Sequence, residues 1–270
     1  MPDHTTWLTL LLDYFKETLA RNTHVIGQSF VSKKPADWQS FEPITASLLI
    51  ALFLILLGVY VRARLAKVDE AVVPDDRLTL RTFMEVFLAY FYDLAKGIMG
   101  PERAKQYFPV IGTAALFVFF CNLMALLPGF PVATSSLNVT LGCALVVFIL
   151  FNIYGLAKNG WSYISHMAGP AWYLAWLIFP IELISLCVRP LTLAVRLMLN
   201  MAVDHLLLTI FLGLFALFVP LPVMLLGVLV VLIQTLVFTM LTSIYIGLAT
   251  EPLEHEHGDE EPSGERAHGH

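Results

Sequence analysis

From Trp172 to Ala249 the sequence is apolar almost without interruption, far longer than the roughly 20 residues with which one helix crosses a ~30 Å hydrocarbon layer. In lipid a helix satisfies its own backbone hydrogen bonds, and nothing else in such a run can do so. The run therefore predicts membrane helices, and its length is about enough for two long ones. Pro220 and Pro222 divide it, because proline donates no backbone hydrogen bond and clashes with the preceding turn. The expected hairpin has arms at about 172–218 and 221–249. The first arm exceeds a perpendicular crossing, so it must tilt or bend, with Pro180 and Pro190 as the natural places.

The rest of the chain has the same character. Hydrophobic residues make up 58% and charged residues 14%, against roughly a quarter charged in soluble domains. An all-α membrane protein is expected, with about five membrane-embedded helices and amphipathic surface helices. A span at about 44–61 opens at Pro43 and closes on Arg62, Arg64 and Lys67, which places its carboxyl end in the cytoplasm. Spans at about 108–127 and 139–157 follow, separated by Pro128-Gly129 and a polar loop with Thr134, Ser135 and Ser136. Between them and the first span, Arg81, Glu85, Asp93 and Lys96 interrupt aromatic and apolar residues at 78–97. That pattern predicts a helix lying on the membrane or against partner helices. Residues 1–43 read as an amphipathic amino-terminal segment rather than a cleaved signal, since Asp13 and Lys16 directly follow a short apolar patch. Residues 251–270 read as a disordered cytoplasmic tail whose Glu and His are solvated.

Several function classes drop out. The net charge of −5 comes mainly from acid after Glu251, and no basic patch interleaved with aromatics suits nucleic acid. Cys121, Cys143 and Cys187 stand singly in apolar runs with no ligand spacing, as small core residues do. No metal site and no cofactor is expected.

The chemistry lies in the first arm, in IELISLCVRPLTLAVRLMLNMAVDHLLL. On a helix turning about 100° per residue, Glu182, Ser185, Arg189, Thr192 and Asn200 all fall within about 40° of Arg196. Asp204 lies about 80° away and His205 on the opposite side. A charge held in mid-membrane costs at least ~2.5–3.5 kcal/mol and as a rule faces protein or a wet path. Arginine cannot escape that cost by losing its proton. Glu182 is about 21 Å from Arg196 along the axis and Asp204 about 12 Å, too far for an ion pair. The natural partner is then an acid on another subunit. Glu182 toward the cytoplasm and Asp204 with His205 toward the other side place titratable groups on both sides of a fixed charge.

Other roles compete at the flanking positions. Arg189 also suits a snorkelling anchor, while Ser185, Thr192, Asn200 and His205 also suit hydrogen bonds between helices. In the second arm Gln234 and Tyr245 share a face, and Gln234 is placed to bond Arg196 or Asn200 across the hairpin.

RPLTLAVRLMLNM resembles the Arg-Leu-Phe-Gly-Asn-Met core of the a-subunit family of F-type ATP synthases. PIELIS, LIQTLVFTMLTSIYIGLATE, and NLMALLPGF followed by SLNVTL are similar to the family's other motifs. The likeness covers roughly residues 44–251. It implies that Arg196 is the essential arginine, Asn200 its asparagine, Glu182 the acid on the cytoplasmic side and Gln234 the glutamine of the last helix. Two departures stand out: Met198-Leu199 replaces Phe-Gly, and Asp204-His205 replaces Gly-Glu, so the proton acceptor on the uptake side is one of those two. The resemblance implies a stationary subunit of a bacterial inner-membrane rotary motor, amino terminus outside and carboxyl terminus cytoplasmic. Its partners would be c-ring subunits, b-type peripheral stalk subunits and the lipid bilayer, with protons as the transported ion. Glu182, Ser185, Thr192, Asn200, Asp204, His205, Gln234 and Tyr245 would line the proton pathway. The rival reading is a secondary transporter whose Arg196 holds an anionic substrate.

Overall fold

The computed structural model describes residues 8, 14, 42–65, 80–127, 130, 132–160, 172–214 and 220–251. The Pro128-Gly129 break, most of the amino-terminal segment, the aromatic connector at 161–170 and the histidines of the tail lie outside the described residues. Six long helices account for nearly all of what is described: α1 (Glu42–Leu65), α2 (Leu80–Met99), α3 (Pro101–Ala125), α4 (Leu137–Asn159), α5 (Trp172–Leu214) and α6 (Pro220–Ala249). A short 3-10 turn, Ala133–Ser135, precedes α4. No strand occurs among the described residues. Five of the six helices, all but α2, are long and apolar enough to cross a membrane.

The boundaries follow local chemistry. α3 begins where Gly100, at φ 84°, turns the chain and Pro101 takes the first helical position, where its missing N–H costs nothing. α4 ends on Gly160, also at positive φ, whose N–H returns to the Leu156 carbonyl at 2.8 Å. α5 runs through Pro180 and Pro190 as one helix of 43 residues, roughly 65 Å at 1.5 Å per residue. That is about twice the hydrocarbon thickness, so α5 cannot stand upright in a bilayer. α6 starts at Pro220 itself, so the two prolines open the second arm.

Packing falls into three successive layers. The first joins Ala95 and Met99 of α2, Ala104, Tyr107 and Ile111 of α3, Phe151 of α4, Leu186 of α5 and Ile246 of α6. In the middle layer Val118 meets Ala144, Val147, Leu193, Leu197 and Phe238. A third layer contains Phe119, Leu126, Met201 and Val231. The order of residues through the layers gives the directions: α3 and α5 run one way, and α2, α4 and α6 run the other. α2 packs against a partner helix, with Leu80, Phe83, Val86 and Tyr90 exposed on its other flank. Phe87 of α2 lies 4.9 Å from Phe119, and Tyr92 lies 5.1 Å from Phe108, so α2 folds back lengthwise along α3.

α1 is the peripheral helix. Ala46 and Ile50 pack with Cys121 and Ala133, whereas Leu48, Leu49, Leu52, Ile55, Leu56 and Val59 are exposed, as suits a helix bathed in lipid. This contact orients α1 so that its basic end lies on the side where α2 and α4 end and α3 begins. Arg62, Lys96, Arg103, Lys105 and Lys158 therefore share one side of the bundle.

Two side chains on that side fix the end of α6. Arg103 Nη1 donates to the Gly247 carbonyl at 3.3 Å, and Asn159 Nδ2 donates to the carbonyls of Ala249 (3.3 Å) and Glu251 (2.9 Å). These are carbonyls that a helix end leaves without partners of its own.

Candidate functional site: the polar stripe of α5 and its partners on α6

α5 presents its polar stripe partly outward and partly against α6. Ser185, Thr192 and Arg196 are exposed, while Glu182, Arg189 and Asn200 are half-buried. The helical-wheel grouping holds, and the tertiary fold turns the group toward the flank of the bundle rather than into its core.

α6 meets this stripe at two points. Asn200 Nδ2 donates to Gln234 Oε1 at 2.6 Å. Of the two partners open to Gln234, the fold selects Asn200. Toward the basic side, the Arg189 guanidinium lies over the Tyr245 ring at 5.6 Å from its centroid, within cation–π range. Its Nη2 is also 3.8 Å from Glu182 Oε1. Arg189 therefore bridges an acid of its own helix and an aromatic ring of the next. Residues 189 and 200 of α5 and residues 245 and 234 of α6 have equal spacing, as a regular antiparallel hairpin requires.

Arg196 lies between these two contacts, at the level where Leu197 and Phe238 are buried. It has no ion pair or hydrogen bond among the described residues. Its neighbours on the same flank, Leu199 and Val203, are exposed apolar side chains. The result is one permanent positive charge on an apolar outer face. The Thr192 hydroxyl turns its proton to the Arg189 carbonyl of its own helix.

Asp204 and His205 point differently on an ideal wheel, yet both line one cavity of about 20 Å³ between α5, α6 and the end of α3. Asp204 Oδ2 is buried and has no hydrogen-bond partner among the described residues. The cavity wall is otherwise apolar, including Leu126, Met201, Met224 and Gly227. One polar group beside this region escaped the sequence reading. Asn122 of α3 is fully buried, and its Oδ1 accepts from Thr134 Oγ1 at 2.9 Å. A lone amide in the run FFCNLM was the available signal, but its partner on the following turn is visible only in three dimensions.

The inner face of α6 is polar too. Thr235, Thr239, Ser243 and Thr250 are buried and each donates to the carbonyl four residues earlier, which silences the hydroxyls and leaves small side chains at the helix contact. Among the described residues no cluster of His, Cys, Asp and Glu suits a metal ion.

Comparison with known proteins accords with this arrangement. The family model described as ATP synthase A chain matches residues 44–247. The chain is 56% identical over 255 residues to ATP synthase subunit a of Sorangium cellulosum, covering 94% of this chain and 100% of that protein. It is 42% identical over 208 residues to ATP synthase subunit a 1 of Syntrophotalea carbinolica, covering 77% and 85% of the two chains. Against ATP synthase subunit a of Geobacter sulfurreducens it is 47% identical over 167 residues, covering 62% and 72%. With the Arg196 core, the Gln234 helix and all five long apolar helices inside or overlapping the matched region, this chain belongs to the ATP synthase A chain family.

Proposed function

We propose that this chain is the stationary ion-channel subunit of a rotary F-type ATP synthase, offering two proton half-channels to a ring of c subunits and coupling proton flow to rotation and ATP synthesis. The observation that carries the reading is Arg196: a guanidinium that cannot discharge, exposed at mid-height on an apolar flank, without a partner among the described residues. Such a charge calls for an acid from outside the chain. A ring carboxylate passing in its deprotonated form is attracted to Arg196, and the fixed charge also bars a proton from crossing directly between the half-channels.

Asp204 and His205 serve the uptake side, and Glu182, Ser185, Thr192 and Tyr245 the release side. Asn200 and Gln234 hold α5 and α6 in register around Arg196. The shared basic side, with Arg62, Lys96, Arg103, Lys105 and Lys158, is the cytoplasmic one by the positive-inside rule. The end of α6 and the tail then lie in the cytoplasm and the amino terminus outside, in a bacterial inner membrane. A b-type peripheral stalk holds the subunit still. Each charge crossing 100 mV releases only ~2.3 kcal/mol, so several must pass for each ATP, which a rotor accumulates and a single-step pump does not.

The test is Arg196→Ala in membranes carrying the assembled complex. ATP-driven proton pumping should vanish while the complex is recovered intact; pumping at the original rate would sink the proposal.

A further inference from the structure

The wall of the cavity beside Asp204 and His205 contains one unusually close contact. A Cβ built on Gly227 of α6 would collide with Cδ2 of Leu126, the residue just beyond the end of α3. Leu126 is buried, 8% exposed, and its side chain lies directly on the Gly227 backbone. Both residues line the cavity. Glycine at 227 lets the end of the Leu126 side chain rest there, inside a regular helix where alanine would otherwise be favoured, and a Cβ at 227 would force that flexible end to shift.

The volume matters because of what it adjoins. About 20 Å³ is room for roughly one water molecule. The polar side chains among the lining residues are those of Asp204 and His205, and Asp204 Oδ2 has no partner among the described residues. A buried carboxylate oxygen of this kind is stabilised by a donor such as water. The chamber is therefore large enough to carry a proton to the acid through one water, and too small for a continuous column.

We infer that Leu126, seated on Gly227, is the constriction that sets the size of this chamber and with it the rate at which protons reach Asp204 and His205. The inference rests on the proposed uptake role of that pair. Leu126 is a positioning residue: it touches neither the proton nor the ring and acts by limiting the water that can accompany them. The two wall residues also compensate each other. Shortening Leu126 widens the chamber, whereas a methyl on residue 227 drives the Leu126 side chain off its seat and into the space.

The experiment uses membranes carrying the complete complex after removal of its soluble ATPase head, with passive proton conductance normalised to intact complex. Leu126→Ala should raise conductance roughly threefold or more, Gly227→Ala should lower it by a similar factor, and the double variant should return close to the original value. Opposite signs that cancel are not produced by simple destabilisation, which would lower conductance in both single variants and further in the double. Loss in all three variants, or conductance unchanged in all three, overturns the inference. Arg196→Ala in membranes that retain the ATPase head separates the two levels. If it abolishes pumping while the 126 and 227 variants behave like the parent, the constriction fails and the rotary reading stands.

Discussion

Asn200 of α5 and Gln234 of α6 are joined by a 2.6 Å amide–amide hydrogen bond, one helical turn from the exposed Arg196. Gln234 is only 3% exposed, so its end of the bond is buried, while Asn200 is half-buried. Interhelical bonds of this kind average about 0.6 kcal/mol in membranes and reach about 1.7. A double-mutant cycle with Asn200→Leu and Gln234→Leu should therefore give a coupling of roughly 1 kcal/mol in the thermal unfolding of the complex. Strictly additive effects would mean that the bond contributes nothing.

Arg196 should behave in the opposite way. With no intrachain partner among the described residues, its removal strands no acid and breaks no hydrogen bond. Arg196→Leu should leave the thermal stability of the purified chain within about 0.5 kcal/mol of the original, as for exposed positions generally, even though proton pumping is lost. A large destabilisation would point to an internal partner.

The clamp on α6 predicts local fraying rather than global unfolding. Asn159→Ala removes two donors from the carbonyls of Ala249 and Glu251, at a cost of about 1 kcal/mol for each bond. Amide hydrogen exchange at residues 246–250 should accelerate several-fold, while the middle of α6 near Phe238 keeps its protection. Unchanged exchange at the helix end would count against the clamp.

Core and lipid-facing positions should separate cleanly. Phe151, 2% exposed, lies 5.3 Å from the Phe148 ring and 6.0 Å from Tyr245. Phe151→Ala should cost about 3–5 kcal/mol through the cavity it opens. Leu49, 53% exposed on the outer face of α1, should tolerate alanine within about 0.5 kcal/mol. Comparable losses at both positions, read from unfolding midpoints in detergent, would contradict the layered packing.

Much of this was legible in the chain itself. Hydropathy marked the five long helices, proline and glycine marked several of their ends, and a period of about 3.6 residues grouped Glu182, Ser185, Arg189, Thr192 and Asn200 with Arg196. These are local properties, set by neighbours within a few turns of one helix, so they survive without knowledge of the fold. Helix ends were less accurate: α3 begins at Pro101, well before 108, because Glu102, Arg103 and Lys105 hide a helical start among charges.

What only the tertiary structure decided concerns how each helix is rotated and what it meets. Periodicity showed that the polar stripe existed, but packing turned Arg196 outward and brought Asn200, not Arg196, to Gln234. Asp204 and His205 diverge on an ideal wheel, and α3 and α6 close around both to form one cavity. Asn122 found Thr134, and Arg103 and Asn159 found the end of α6, through contacts between residues far apart in sequence. The sequence alone determined which residues share a helix and a face, because that is a matter of one dihedral geometry repeated. Which face meets which neighbour depends on burying three layers of side chains at once, and no single segment contains that information.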